Sequence, residues 1–283
     1  MRRFPLALLA FAPLAACATT GHGHADATPP DPAQQRADAA PSRAETRAES
    51  HRAARIDRQA RAQVEHTDTL SQMTFWAQEY TNFPDDLETA QKFSEALRKG
   101  GRYDRAAEVA RQGLERTPSD TQLLMTYGLS LVASDNAQDA LRPLALVAHA
   151  DPHDWRSRSA LGVALDQLGR FNDARAAYQE ALAIKPDDAG LLTNMGMSHL
   201  LAGDPEGAEP ILRQATALPG APPEARQNLA VAVALQGHFD EAERLERIDL
   251  PPQVVAENMA YLRALLSDPR RWGDLRHGSS SVQ

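Results

Sequence analysis

Across residues 71–266, apolar and small side chains recur at helical spacing in short blocks. Polar breaks carrying Gly or Pro separate the blocks. The pattern repeats every 34 residues and is fullest from Trp155 to Asp188, with Leu161, Gly162, Gly169, Ala174, Tyr178, Ala181 and Pro186 as fixed points. Counting from the start of each block, position 20 is Ala106, Ala140, Ala174, Ala208 and Ala242. Position 8 is always small: Ser94, Gly128, Gly162, Gly196 and Ala230. Position 15 is Gly101, Asp135, Gly169, Gly203 and Gly237. Pro-x-Asp triplets recur at Pro84/Asp86, Pro118/Asp120, Pro152/Asp154 and Pro186/Asp188.

Each phase has a physical task. Small residues at positions 8 and 20 let two helices approach closely. Position 15 makes a tight turn, the proline stops the second helix, and the aspartate caps the next first helix. These residues resemble the tetratricopeptide repeat (TPR). The expected fold class is therefore all-α: a TPR solenoid of antiparallel helix pairs, about five 34-residue units with capping helices. The units read as 87–120, 121–154, 155–188, 189–222 and 223–252 within a solenoid spanning 71–266. Phe75, Trp76, Tyr80 and Phe83 mark an N-terminal capping helix. Val254, Val255, Met259, Leu262 and Leu265 mark a C-terminal helix over 253–266, and a polar tail follows over 267–283. In the fifth unit Glu246 and Asp249 stand where apolar and small residues are expected, as suits an array end.

The first helix of each unit should line a concave groove through positions 2, 5, 9 and 12. Its middle is largely apolar: Met125, Leu129, Val132, Val163, Met197, Leu200 and Val231, joined by Asn194 and Asn228 at position 6. An adaptable apolar groove suits an amphipathic helix or extended apolar peptide, so these nine residues are the candidate partner-binding site. The competing reading has the C-terminal helix folded into the groove, making the same residues core. The groove lacks the lysines and arginines of a carboxylate clamp.

The chain begins differently. Arg2 and Arg3 precede a short apolar run, Phe4 to Leu14, ending in Leu14-Ala15-Ala16-Cys17. This resembles the bacterial lipobox, which implies a removed signal peptide (1–16) and a covalent lipid on Cys17, the sole cysteine. Ala18, rather than Asp, implies outer-membrane sorting, with the rest of the chain facing the periplasm. Residues 17–70 read as a tether, disordered over 18–42 and weakly helical over 43–66, where only Ile56 and Val64 are large and apolar. As a coil, about 50 such residues span roughly 40 Å. Among 283 residues, 51 are alanine and 5% are aromatic, so a helical core must pack through small side chains. The net charge of -8 argues against nucleic acid, leaving the lipid as the membrane attachment.

No catalytic motif is present: there is no HExxH, nucleophile elbow, phosphate loop or dinucleotide fingerprint. His22 with His24, and His149, Asp151, His153 and Asp154, read as linker and loop residues rather than metal ligands. Neither a cofactor nor a small-molecule substrate is expected. Several stretches go beyond the generic repeat: Ala160 to Arg170, Leu212-Arg213-Gln214-Ala215, Leu218-Pro219-Gly220, Arg226 to Ala230, Leu235-Gln236-Gly237, Asn258 and Tyr261-Leu262-Arg263. Through them the chain, from about Trp76 to Leu266, resembles the TadD family, TPR lipoproteins of the Flp/Tad (tight adherence) pilus assembly system. The resemblance implies a non-enzymatic assembly factor whose partner is the secretin or another pilus component, with a pilotin-like role toward the secretin. Other TPR lipoproteins serve as adaptors for peptidoglycan or envelope-assembly enzymes, which is the alternative role.

Overall fold

A computed structural model describes residues 58–267. The signal segment, Cys17, most of the tether and the tail lie outside these residues. The described part is all-helical. Residues 58–64 are helical, and twelve helices follow: α1 (Thr69–Asn82), α2 (Leu87–Lys99), α3 (Tyr103–Arg116), α4 (Thr121–Ala133), α5 (Ala137–Ala150), α6 (Trp155–Gln167), α7 (Phe171–Ile184), α8 (Ala189–Leu201), α9 (Pro205–Ala217), α10 (Pro223–Leu235), α11 (Phe239–Glu246) and α12 (Pro252–Ser267). From α2 to α11 they form five helix pairs. Each helix packs on the next, and each first helix packs on the first helix of the following pair. This is the expected TPR solenoid.

The periodic residues act as their chemistry suggests. Asp86, Asp120, Asp154 and Asp188 cap α2, α4, α6 and α8, each accepting a backbone N–H from the first turn of its helix. Gly101, Gly169, Gly203 and Gly237 have φ of 72°, 71°, 75° and 89°, and Asp135 takes the same left-handed turn at 59°. In every unit this turn lets the next backbone N–H reach back across the helix end: Arg102 to Leu97, Asn136 to Leu131, Arg170 to Leu165, Asp204 to His199, His238 to Val233. Position 8 then fixes how closely the paired helices approach. A methyl at Gly128 would lie 2.6 Å from Leu144, at Gly162 2.5 Å from the Tyr178 ring, and at Gly196 2.5 Å from Leu212. Each facing residue lies sixteen positions on, and all three are fully or almost fully buried.

Two features depart from expectation. Val64, expected on a solvated helix, is buried with Trp76, Phe93, Ala96 and Leu97. The reason is Arg61, whose guanidinium bonds Glu79 (2.9 Å), Asp86 (2.9 Å) and Glu88 (2.7 Å) and lies 5.7 Å from the Trp76 ring centroid. Composition scores such a stretch as polar, but the arginine has specific partners on α1 and α2. Asp166 stands at position 12 of the third unit, a groove position of the repeat, but ties two units together. Its carboxylate accepts from the Tyr178 hydroxyl (2.9 Å) and from the Ser198 hydroxyl of the next unit (2.6 Å). Burial pushes both Asp166 and Tyr178 above their ordinary pKa values.

The Gly162 contact has a measurable consequence. Helix propensity alone favours alanine over glycine by about 1 kcal/mol. The Tyr178 ring is held by Asp166, so it cannot retreat from an added methyl. Gly162→Ala should therefore lower stability, by about 1–3 kcal/mol, read as a lower urea midpoint. An unchanged or raised midpoint would show that the close approach is not enforced.

Candidate partner-binding pocket

The apolar first-helix residues of the middle units are used in packing one unit on the next. Met125, Leu129 and Val163 are half-buried against the cluster of Leu131, Val132, Leu144, Ala160 and Ala164, in which Val132 is itself buried. These four residues lie in or against a core cluster that spans neighbouring units. Asn194 is half-buried on α8 and lies outside the pocket described next.

At the C-terminal end the concave face opens into a pocket of about 470 Å³. Met197, Leu200 and Leu201 come from α8, Asn228, Val231 and Leu235 from α10, Glu246 from α11, and Asn258, Tyr261, Leu262 and Leu265 from α12. Four of the nine sequence candidates, Met197, Leu200, Asn228 and Val231, meet here. The C-terminal helix does not lie along the groove over the middle units. It packs on α10 and α11, where a sixth first helix would sit, with Val255, Met259 and Leu262 buried against Leu229, Ala230 and Val233. Helix α11 is only 8 residues long, against 13 or 14 in the other second helices, so the end of the stack is less filled. Met197, Leu201 and Tyr261 stay 38%, 47% and 62% exposed at the rim. Large apolar side chains around an apolar depression mark an interaction surface.

One charged group sits among these walls. Glu246 occupies the phase held by Leu144, Tyr178 and Leu212 in the three preceding units, sixteen positions after Ala230. It is only 4% exposed. Its Oε2 accepts from Asn258 Nδ2 at 3.1 Å. Burial holds its carboxyl above the ordinary glutamate value, and the Asn258 bond opposes the shift. Sequence periodicity marked Glu246 only as a degenerate position; the missed signal was its pairing with Asn258. Leu201, Leu235 and Tyr261 were missed because they fall outside the groove positions of a regular repeat.

The pocket lining carries no serine, cysteine, histidine or lysine. Asp151 accepts from the His153 backbone N–H (2.9 Å) and Asp154 caps α6, so both are engaged in the loop. Among the described residues no three His, Cys, Asp or Glu side chains cluster as metal ligands. No described helix is long and apolar enough to cross a membrane.

Comparison with known proteins agrees with this architecture. A tetratricopeptide-repeat family model matches residues 92–154 and 193–253, and a TPR-repeat model matches 160–203. The chain belongs to the tetratricopeptide-repeat family. TPR repeat-containing protein PA4667 of Pseudomonas aeruginosa is 29% identical over 123 residues, covering 43% of this chain and 21% of that protein. The Hsp70-Hsp90 organizing protein of Triticum aestivum is 26% identical over 177 residues, covering 60% of this chain and 29% of that protein. The chain thus spans less than a third of the length of either relative. The solved thermophilic TPR protein TTC0263 of Thermus thermophilus aligns at a TM-score of 0.54 with 22% identity, over 64% of this chain and all of that one, which shows the shared fold. TPR arrays as a class present extended concave surfaces that bind proteins.

The buried carboxyl sets a pH dependence. The folded state holds the Glu246 proton more tightly than the unfolded chain, so stability falls as pH rises from the ordinary glutamate range through the raised folded value. Below that window the penalty is absent; above it, the penalty is complete. Glu246→Leu should therefore be more stable than wild type at pH 7, by about 1–2 kcal/mol, with the gap closing toward pH 4. Urea titrations across this range test it. Equal stability at pH 7 would mean the carboxylate is not penalised in its place.

Proposed function

We propose that the chain is a lipid-anchored scaffold that assists assembly of Flp/Tad pili from the periplasmic face of the outer membrane. Cys17 carries the lipid and the tether gives the repeat array reach. The array binds a pilus component, the secretin first among them, in a pilotin-like role. The carrying observation is the half-open pocket at the C-terminal end of the concave face, with Met197, Leu201 and Tyr261 at its rim. Four of the seven TadD-like stretches contribute to its lining, through Asn228, Leu235, Asn258, Tyr261 and Leu262. The lipobox-like Leu14-Ala15-Ala16-Cys17 supports the anchoring. Two or more acyl chains, at about 0.8 kcal/mol per buried CH₂, suffice for stable attachment.

The test is capture of the secretin from cells that assemble tight-adherence pili, using the tagged full chain after mild cross-linking. Wild type should retain the secretin. Met197→Arg with Tyr261→Arg should lose it while keeping helicity and membrane fractionation, because both side chains are exposed at the rim. Retention of the secretin by the double variant would remove the pocket from the function. Recovery of peptidoglycan enzymes in place of pilus components would favour the adaptor role.

A further inference from the structure

We infer that the pocket between α8, α10, α11 and α12 receives a lysine side chain of the protein partner, with its ammonium on Glu246. The inference rests on the protein-binding reading above and specifies what that surface recognises.

The side chains lining the pocket are apolar except for Glu246, the amides of Asn228 and Asn258, and the Tyr261 hydroxyl. Glu246 as a residue is 4% exposed, and only its Oε2 has a hydrogen-bond donor among the described residues. No lysine or arginine among the described residues lies within ion-pair distance of it. The nearby arginines are engaged elsewhere: Arg226 bonds Asp249 at 2.8 Å, Arg247 bonds Glu243, and the Arg263 guanidinium lies 4.8 Å from the Phe239 ring centroid. A carboxyl among Val231, Leu235, Leu262 and Leu265 with one unmatched oxygen is an unfilled acceptor in apolar surroundings.

The complementary shape is a long aliphatic stem ending in a compact cation. Lysine has a four-carbon stem that packs on apolar walls and a point-like ammonium. Arginine fits less well, because its planar fork seeks both carboxylate oxygens and Asn258 already holds Oε2. An anionic ligand would meet the carboxylate directly. Tyr261, exposed at the rim, places an aromatic ring in the pocket lining, and aromatic rings attract cations. Charge favours the same partner, since residues 71–283 carry 30 acidic against 21 basic side chains. The position held by leucine or tyrosine in the three preceding units thus holds a group suited to a ligand rather than to the core.

The test needs no partner protein. The purified full chain, labelled with ¹³C at its methionine methyls, is titrated with hexylammonium, 1-hexanol and hexanoate. Met197 reports the pocket; Met125 and Met259 report the fold. Hexylammonium should shift the Met197 methyl and bind about tenfold more tightly than 1-hexanol, and hexanoate should be weakest. Glu246→Gln, which keeps the side-chain shape, should erase the preference while leaving the Met125 and Met259 signals in place. The inference is overturned if 1-hexanol or hexanoate matches hexylammonium, if the preference survives in Glu246→Gln, or if the chain's own tail fills the pocket and Met197 does not respond. Any of these outcomes leaves secretin capture to be judged separately. Conversely, loss of secretin capture does not alter the fragment result.

Discussion

The close approach of the two helices in each unit governs the rest of this molecule. In the second, third and fourth units it depends on a small residue at position 8 facing a large one sixteen positions later. Gly128 receives Leu144, Gly162 receives Tyr178, and Gly196 receives Leu212, each in a space that a single methyl would fill. Such tight contact lets a chain with few aromatics bury a continuous core. It also fixes the relation between successive first helices, and so the concave face they share. Where partners are large, as at Tyr178, the contact extends into hydrogen bonds that join one unit to the next through Asp166 and Ser198.

The array departs from this rule at its C-terminal end. Glu246 stands sixteen positions after Ala230, where the three preceding units have a leucine or tyrosine, α11 stops after 8 residues, and α12 follows as the last helix among the described residues. Regular packing would have closed the space now bounded by α8, α10 and α12. The apolar pocket and the break in the repeat are therefore one feature. Burying a carboxyl there opposes stability, and natural chains tolerate that where a site gains from it.

Much of the fold was legible because the repeat ties residue type to backbone task. The Pro-x-Asp triplets located the capped helix starts at Leu87, Thr121, Trp155 and Ala189, and the position 15 residues located the left-handed turns, including Asp135. Less of the candidate site was legible. Four groove residues, Met125, Leu129, Val132 and Val163, lie in or against a core cluster that spans neighbouring units, because periodicity assigns a face but not its share between neighbour and solvent. Leu201 and Tyr261 lie at the rim only because α12 docks on α10 and α11, a long-range placement with no 34-residue signature. The Arg61 contacts escaped for a similar reason, since their acidic partners are 18–27 residues away.

The central claim is that partner binding belongs to the C-terminal pocket rather than to the array in general. A photo-cross-linking residue placed at Tyr261 of the full chain, in cells that assemble pili, tests it most directly, with the exposed Leu146 of α5 as the comparison site. The account predicts one dominant adduct from position 261, to a pilus-assembly component, and none from position 146. Equal adducts from both positions, or none from position 261, would contradict it.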